Sequence, residues 1–120
     1  MDRARDCRRL TRMINTTLDQ IERRQGQGPS GVETYDAVAR HYELLARELG
    51  QFKPKDQPLA QAVTEYQALT QSAGHTTTKA ASAMRFGNSV GLAEVRTELA
   101  NQRQAQQALN RQIEQVCRAP

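Results

Sequence analysis

The residues in this sequence best placed for a chemical role are its two cysteines, which lie near opposite ends of the chain. Cys7 and Cys117 are the only cysteines among 120 residues. If an even number of antiparallel helices separates them, both ends return to the same level and the thiols can meet. A disulfide there would close a loop of about 110 residues and would indicate an oxidising compartment. The alternative is two separate buried thiols in a cytosolic protein, but the matching positions favour the bridge.

Residues for other chemistry are sparse. His41 and His75 are the only histidines, and neither has a nucleophile, a base or a metal ligand at a diagnostic spacing. The sequence contains no HExxH, GxSxG or phosphate-loop motif, and Gly26-Gln27-Gly28 is too short to cradle a nucleotide. We therefore expect no catalytic residues, no metal site and no cofactor.

The composition favours one small helical domain. At 120 residues the chain can form a single continuous core, and we treat residues 1–120 as one domain. Hydrophobic residues make up 38% but aromatic residues only 4%, with no tryptophan, so the core must be mainly aliphatic. Glutamine, alanine, arginine and glutamate, all good helix formers, are abundant. This composition suits helix-on-helix packing better than a sheet sandwich.

Apolar residues recur at intervals of three and four along most of the chain, which predicts helices. The predicted helices span about residues 3–25, 31–52, 57–86 and 89–118. Ser30 and Glu33 form a predicted capping box for the second helix. Gly87 is predicted to end the third helix, and Asn88 or Ser89 to cap the fourth. Because the connections are short, we predict an all-α fold, an antiparallel up-down four-helix bundle, with a three-helix spectrin-like bundle as the alternative.

A polar interruption in the last two helices is the clearest candidate for a ligand site. Gln102 and Gln106 occupy core positions between two apolar blocks of the fourth helix, and small or polar residues face them across the hairpin. The candidate ligand residues are Thr70, Gly74, His75, Thr77, Gln102 and Gln106. Two alternatives need no ligand: a buried polar layer that fixes register, or a rotation of the fourth helix that buries Ala105 and Ala108 instead. We favour these alternatives, because small residues also let helices pack closely.

The net charge of +4 at pH 7 comes largely from arginines of the first helix. The predicted patch for an anionic partner consists of Arg5, Arg8, Arg9 and Arg12. Nucleic acid or anionic lipid could bind there, but the arginines spread over several faces and motifs for base stacking are missing. We therefore favour a solvated helix face over nucleic-acid binding. No stretch approaches the roughly 20 apolar residues of a membrane span, and the first residues do not form a signal peptide.

Large apolar residues at the ends of the bundle are candidates for a surface that binds another protein. Phe52 lies at the second turn, and Met84 and Phe86 lie at the third. Residues at bundle ends can stay partly open, or they can simply close the core. Apolar residues of the second helix, from Tyr35 to Phe52, are spaced as in a coiled coil. This apolar stripe could pair within one chain or between chains, so it does not define an oligomeric state.

Four antiparallel helices without a catalytic signature resemble the extracytoplasmic sensor domains of bacterial receptors and small periplasmic helical proteins. The resemblance is architectural and rests on no motif. We therefore predict a non-enzymatic helical interaction or sensing module, periplasmic or secreted, whose leader lies outside this sequence. One alternative is a cytosolic helical adaptor whose basic first helix binds nucleic acid or another anionic partner. Another is a small-ligand sensor that uses the polar layer.

Overall fold

The computed structural model describes residues 2–26 and 31–118, and these residues form four helices. The helices are α1 (Asp2–Gly26), α2 (Val32–Gln51), α3 (Gln57–Arg85) and α4 (Ser89–Arg118). They pack as an elongated antiparallel bundle of 51 × 23 × 21 Å. The prediction of an all-α four-helix bundle is confirmed, and the three-helix alternative is wrong because the described residues form four separate helices.

The four helices do not contribute equally to the bundle. α3 packs along both α2 and α4, whereas α1 packs mainly on α2 and meets α3 and α4 over short stretches. α3 is therefore the central helix, and α1 is the element with the least helix-to-helix contact. The position of α1 depends strongly on a few buried side chains and on its link to α4.

The aliphatic core occupies the end of the bundle that contains the two cysteines. Its buried members come from all four helices and from the turn after α2: Cys7, Leu10, Ile14, Leu45, Leu49, Phe52, Leu59, Ala62, Val63, Tyr66 and Ile113. Beyond Tyr66 the buried residues of α3 become small, with alanine, glycine and threonine in place of leucine and valine. Gly74 illustrates the reason, because a Cβ atom there would lie 3.3 Å from Cβ of Tyr42 on α2. Small residues thus bring α2 and α3 close together in this half.

The turn between α3 and α4 is defined by backbone hydrogen bonds. Gly87 adopts a positive φ of 64°, a conformation that favours glycine. Its N–H donates to the Met84 carbonyl at 3.3 Å, and the Asn88 N–H donates to the Ala83 carbonyl at 2.8 Å, which together form a Schellman motif. The Asn88 side chain then accepts from the Gly91 N–H at 2.9 Å and caps α4. The predicted roles of Gly87 and Asn88 are confirmed.

The start of α2 differs from the prediction. The N-cap residue is Gly31, and no side chain caps the helix through a hydrogen bond there. With Gly31 at the N-cap, Glu33 is the second residue of the helix, whereas a capping box requires the glutamate at the third. Ser30, the other half of the predicted box, lies outside the described residues.

The Asp56 side chain caps the start of α3, and its contribution to the free energy of unfolding can be measured. Asp56 Oδ2 accepts from the Leu59 N–H at 3.1 Å, and Asp56 Oδ1 lies 3.2 Å from Nε of Arg3. We expect Asp56→Ala to lower the free energy of unfolding by about 1 kcal/mol, because an amide of the first turn loses its acceptor. Urea denaturation measures the change. Asp56→Asn keeps an acceptor and removes the charge, so a loss as large as that of Asp56→Ala would contradict a role for the cap.

Candidate functional site

A cavity of about 70 Å³ lies in the middle of the bundle, just beyond the aliphatic core. All four helices contribute to its wall, from Leu18 of α1 to Leu99 of α4. The wall includes four of the six residues that the sequence marked as a ligand layer, namely Thr70, Thr77, Gln102 and Gln106. The register of the α3–α4 hairpin brings them to one level, as the turn at Gly87 requires.

The other two predicted residues, Gly74 and His75, do not line this cavity. Gly74 is buried against α2 but does not line the cavity, and the side chain of His75 is exposed. Successive helical residues are rotated by about 100°. Ala73 and Thr77, four residues apart, therefore face the cavity, while the residues between them point to other sides of α3.

The orientation of α4 decides between the two ligand-free alternatives. Gln102 and Gln106 are half-buried, whereas Ala105 and Ala108 are exposed. The rotated arrangement, which would bury the alanines and leave both glutamines in water, is therefore wrong. The middle of the bundle contains a polar layer.

A chain of side-chain hydrogen bonds orients the Gln102 amide. Its Nε2 donates to Oγ1 of Thr76 at 2.9 Å, and the Thr76 hydroxyl donates to Oε2 of Glu98 at 3.3 Å. The amide oxygen of Gln102 is buried and has no hydrogen-bond partner among the described residues. Sequence reasoning missed Thr76 and Glu98, although the same hairpin register that pairs Gln102 with α3 could have indicated Thr76.

The Tyr66 hydroxyl is the second polar atom of the cavity wall without a partner in the described part of the chain. Tyr66 is only 2% exposed. Burial raises its pKa to about 12, and the nearby Gln106 side chain, outside normal hydrogen-bond geometry, acts in the opposite direction. A buried tyrosine hydroxyl normally finds a partner. Tyr66 lies one helical turn before Thr70 on α3, and this position beside the polar layer is the sequence signal that could have identified it.

The threonines of the wall make the cavity rich in hydrogen-bond acceptors. The hydroxyls of Thr70 and Thr77 donate to the carbonyls of Tyr66 and Ala73 in their own helix, each at 2.7 Å. Their oxygens can still accept, as can the Gln102 amide oxygen. An occupant that donates hydrogen bonds would therefore find acceptors on α3 and α4. Arg103 is the one charged side chain among the described residues of the wall.

The predicted protein-binding residues are not equally accessible. Phe86 is 82% exposed at the α3–α4 turn, and Met84 is half-buried. Phe52, in contrast, is buried in the aliphatic core, so its assignment to a partner surface is corrected. Its backbone N–H caps α2 by donating to the Glu48 and Leu49 carbonyls, which turns the ring inward.

The four arginines of the predicted anionic-partner patch are all exposed, but they do not form one site. Arg5 and Arg9 line a cleft of about 190 Å³ together with Lys53 and Lys55 from the α2–α3 connection. Arg8 and Arg12 do not line this cleft. The sequence analysis missed the two lysines, which are distant from α1 along the chain.

The two cysteines meet as predicted. Their sulfur atoms lie 2.09 Å apart and their Cα atoms 6.0 Å apart, the distances of a disulfide. Beside them, the Arg3 guanidinium donates to the Val116 carbonyl at 3.1 Å. Both contacts join the first turns of α1 to the last turns of α4.

The chain matches no protein-family model, no curated protein and no solved structure. None of the described helices combines the length and the apolar content of a membrane span. Across residues 2–26 and 31–118, no group of three or more His, Cys, Asp or Glu side chains could hold a metal ion. The cavity, the Cys7–Cys117 pair and the charged cleft are the structural features that bear on function.

Proposed function

We propose that this protein is a non-enzymatic helical sensing module that takes a small ligand into its mid-bundle cavity. The observation that carries the proposal is the pair of polar atoms, the Tyr66 hydroxyl and the Gln102 amide oxygen, which are buried in one cavity wall without partners among the described residues. Most buried polar atoms in native proteins have a protein or water partner. Leaving one unsatisfied costs about 1 to 3 kcal/mol, so an occupant that bonds to both would bind favourably.

The cavity limits the size and the chemistry of the ligand. A cavity needs about 10–15 Å³ to hold one water, and an engineered apolar cavity of about 150 Å³ holds benzene. The volume here is about 70 Å³, which suits a few waters or a compound with only a few heavy atoms. The acceptors on α3 and α4 favour a neutral molecule with hydroxyl or amide N–H donors. A ligand that reproduces the hydrogen bonds of an ordered water loses little affinity by displacing it.

The arrangement of the helices provides a route from binding to a signal. All four helices line the cavity, but α1 contacts α3 and α4 only over short stretches. A ligand that binds one arrangement of α1 better than another would shift the population toward it. The position of α1 relative to the other three helices is thus the proposed output.

The proposed compartment is oxidising and extracytoplasmic, periplasmic or secreted. The support is the Cys7–Cys117 pair, which lies at disulfide distance. Disulfides persist in such compartments and are rare in the cytosol. A structural bond between the first and the last helix would suit a small domain exposed to the environment that it senses.

A thermal-shift screen of small polyols, amides and ureas tests the ligand proposal. We expect at least one compound to raise the melting temperature, because a ligand at 100 times its Kd adds about 2.7 kcal/mol to native-state stability. Gln102→Leu should abolish the shift by removing the amide oxygen. Gln104→Leu, which changes an exposed glutamine of the same helix, is the matched control and should respond like the wild type.

Two results together would reject the ligand. They are the absence of any shift in the wild type and a gain in stability on Gln102→Leu. Tyr66→Phe gives a second measurement, because removing a hydroxyl that truly has no partner should leave stability unchanged or raised, whereas loss of a bond to bound water lowers it.

A further inference from the structure

The basic cleft at the disulfide end of the bundle is built from segments that are distant in sequence. Arg5 and Arg9 extend from α1, and Lys53 and Lys55 extend from the connection between α2 and α3. Asp6 is the only carboxylate among the described residues that line it. Four cations therefore face one anion in a space of about 190 Å³. The aliphatic core separates this cleft from the mid-bundle cavity.

Local structure places the backbone of these residues and orients the Arg9 side chain. Arg5 and Arg9 are one helical turn apart and so project from the same side of α1. The Arg9 guanidinium lies 5.1 Å from the centre of the Phe52 ring, a cation–π contact that orients its plane. Phe52 is itself buried, so the ring is a rigid support. Pro54 restricts the backbone between the two lysines.

The acidic residues nearby do not pair with three of the cations of the cleft. In the described part of the chain, no salt bridge pairs a carboxylate with Arg9, Lys53 or Lys55. Asp56, which follows Lys55 in sequence, is occupied by Arg3 and by the cap of α3. The like charges repel one another, and an anion bound between them would replace that repulsion with attraction.

We propose that this cleft binds a phosphate group. Phosphate carries up to two negative charges near pH 7 and several acceptor oxygens, which match the forked donors of Arg9 and the point charges of Lys53 and Lys55. The cleft opens to solvent, so the phosphate can be free or can be the headgroup of a phospholipid.

Paired variants of equal net charge test the site. The first cleft variant combines Arg5→Gln with Arg9→Gln. The second combines Lys53→Gln with Lys55→Gln and leaves the Arg9–Phe52 contact intact. The control is Arg8→Gln with Arg12→Gln, which removes two exposed arginines outside the cleft. Inorganic phosphate is titrated calorimetrically into each protein at constant ionic strength. Flotation with phosphatidylglycerol vesicles, and with phosphatidylcholine vesicles as the neutral reference, forms the second arm.

We expect both cleft variants to bind at least about tenfold more weakly than the wild type, and the control within about twofold. If this difference occurs with inorganic phosphate, the ligand is free phosphate. If it occurs only with the anionic vesicles, the ligand is the lipid headgroup. Equal losses in the control and the cleft variants would overturn the site, because they would show attraction by net charge alone. No binding of either probe to the wild type would overturn it as well.

Discussion

Replacing Leu49 with alanine is expected to lower the free energy of unfolding by about 2 to 5 kcal/mol. Leu49 is 1% exposed and lies in the aliphatic core that joins all four helices. Truncation removes the buried carbon atoms and leaves a cavity, because neighbours held on separate helices collapse only partly. Against a total stability of about 5 to 15 kcal/mol for a typical domain, this is the largest effect that we expect from one side-chain truncation.

The same helix offers a matched control. Leu44 on α2 is 46% exposed and lies outside the aliphatic core. Leu44→Ala makes the same chemical change in a similar helical setting, and we expect a change within about 0.5 kcal/mol. Urea denaturation followed by circular dichroism compares the two variants. Similar effects at both positions would contradict the described orientation of α2.

Opening the Cys7–Cys117 bond should have an effect of similar size through the unfolded state. The bond separates residues 110 positions apart. In the chain-entropy model, a loop of about this length contributes 4 to 5 kcal/mol, and measured values are often lower. For a domain of this size, the loss corresponds to a fall in melting temperature of roughly 15 °C.

Two independent ways of removing the bond make the measurement specific. The variant Cys7→Ala with Cys117→Ala and the reduced wild-type protein should melt within a few degrees of each other. Alkylation of protein taken from its native source under non-reducing conditions, followed by intact mass measurement, should label neither thiol. Two labelled cysteines would remove the support for an oxidising compartment. A melting temperature unchanged by reduction would contradict the stabilising role.

The helices and their arrangement could be predicted because they depend on local signals. Apolar spacing, Asp56, Gly87 and Asn88 each act within a few residues, and the boundaries follow from them. The cysteine pairing followed from counting antiparallel helices. The start of α2 was predicted less accurately, because a shift of the N-cap position by one residue is enough to remove a capping box.

The site was predicted only in part, because its details depend on rotation of the helices. The interruption at Gln102 and Gln106 correctly located the polar layer, but periodicity does not determine which neighbouring residue of α3 faces it. His75 was therefore misplaced, and the unpartnered hydroxyl of Tyr66 was missed. The spacing of apolar residues also does not predict the path of a connection between helices. For this reason Lys53 and Lys55 were not assigned to the basic cleft.

The disulfide also determines how the protein would carry mechanical load. Cys7 and Cys117 join the first helix to the last at one end of the bundle, with their Cα atoms 6.0 Å apart. Tension applied to the chain outside the two cysteines would pass through the sulfur–sulfur bond and bypass residues 8–116. Under oxidising conditions the bundle would act as a short, inextensible link, with its helices shielded from the force. After reduction the same tension would fall on the helix contacts, and α1 would be the first element to peel away.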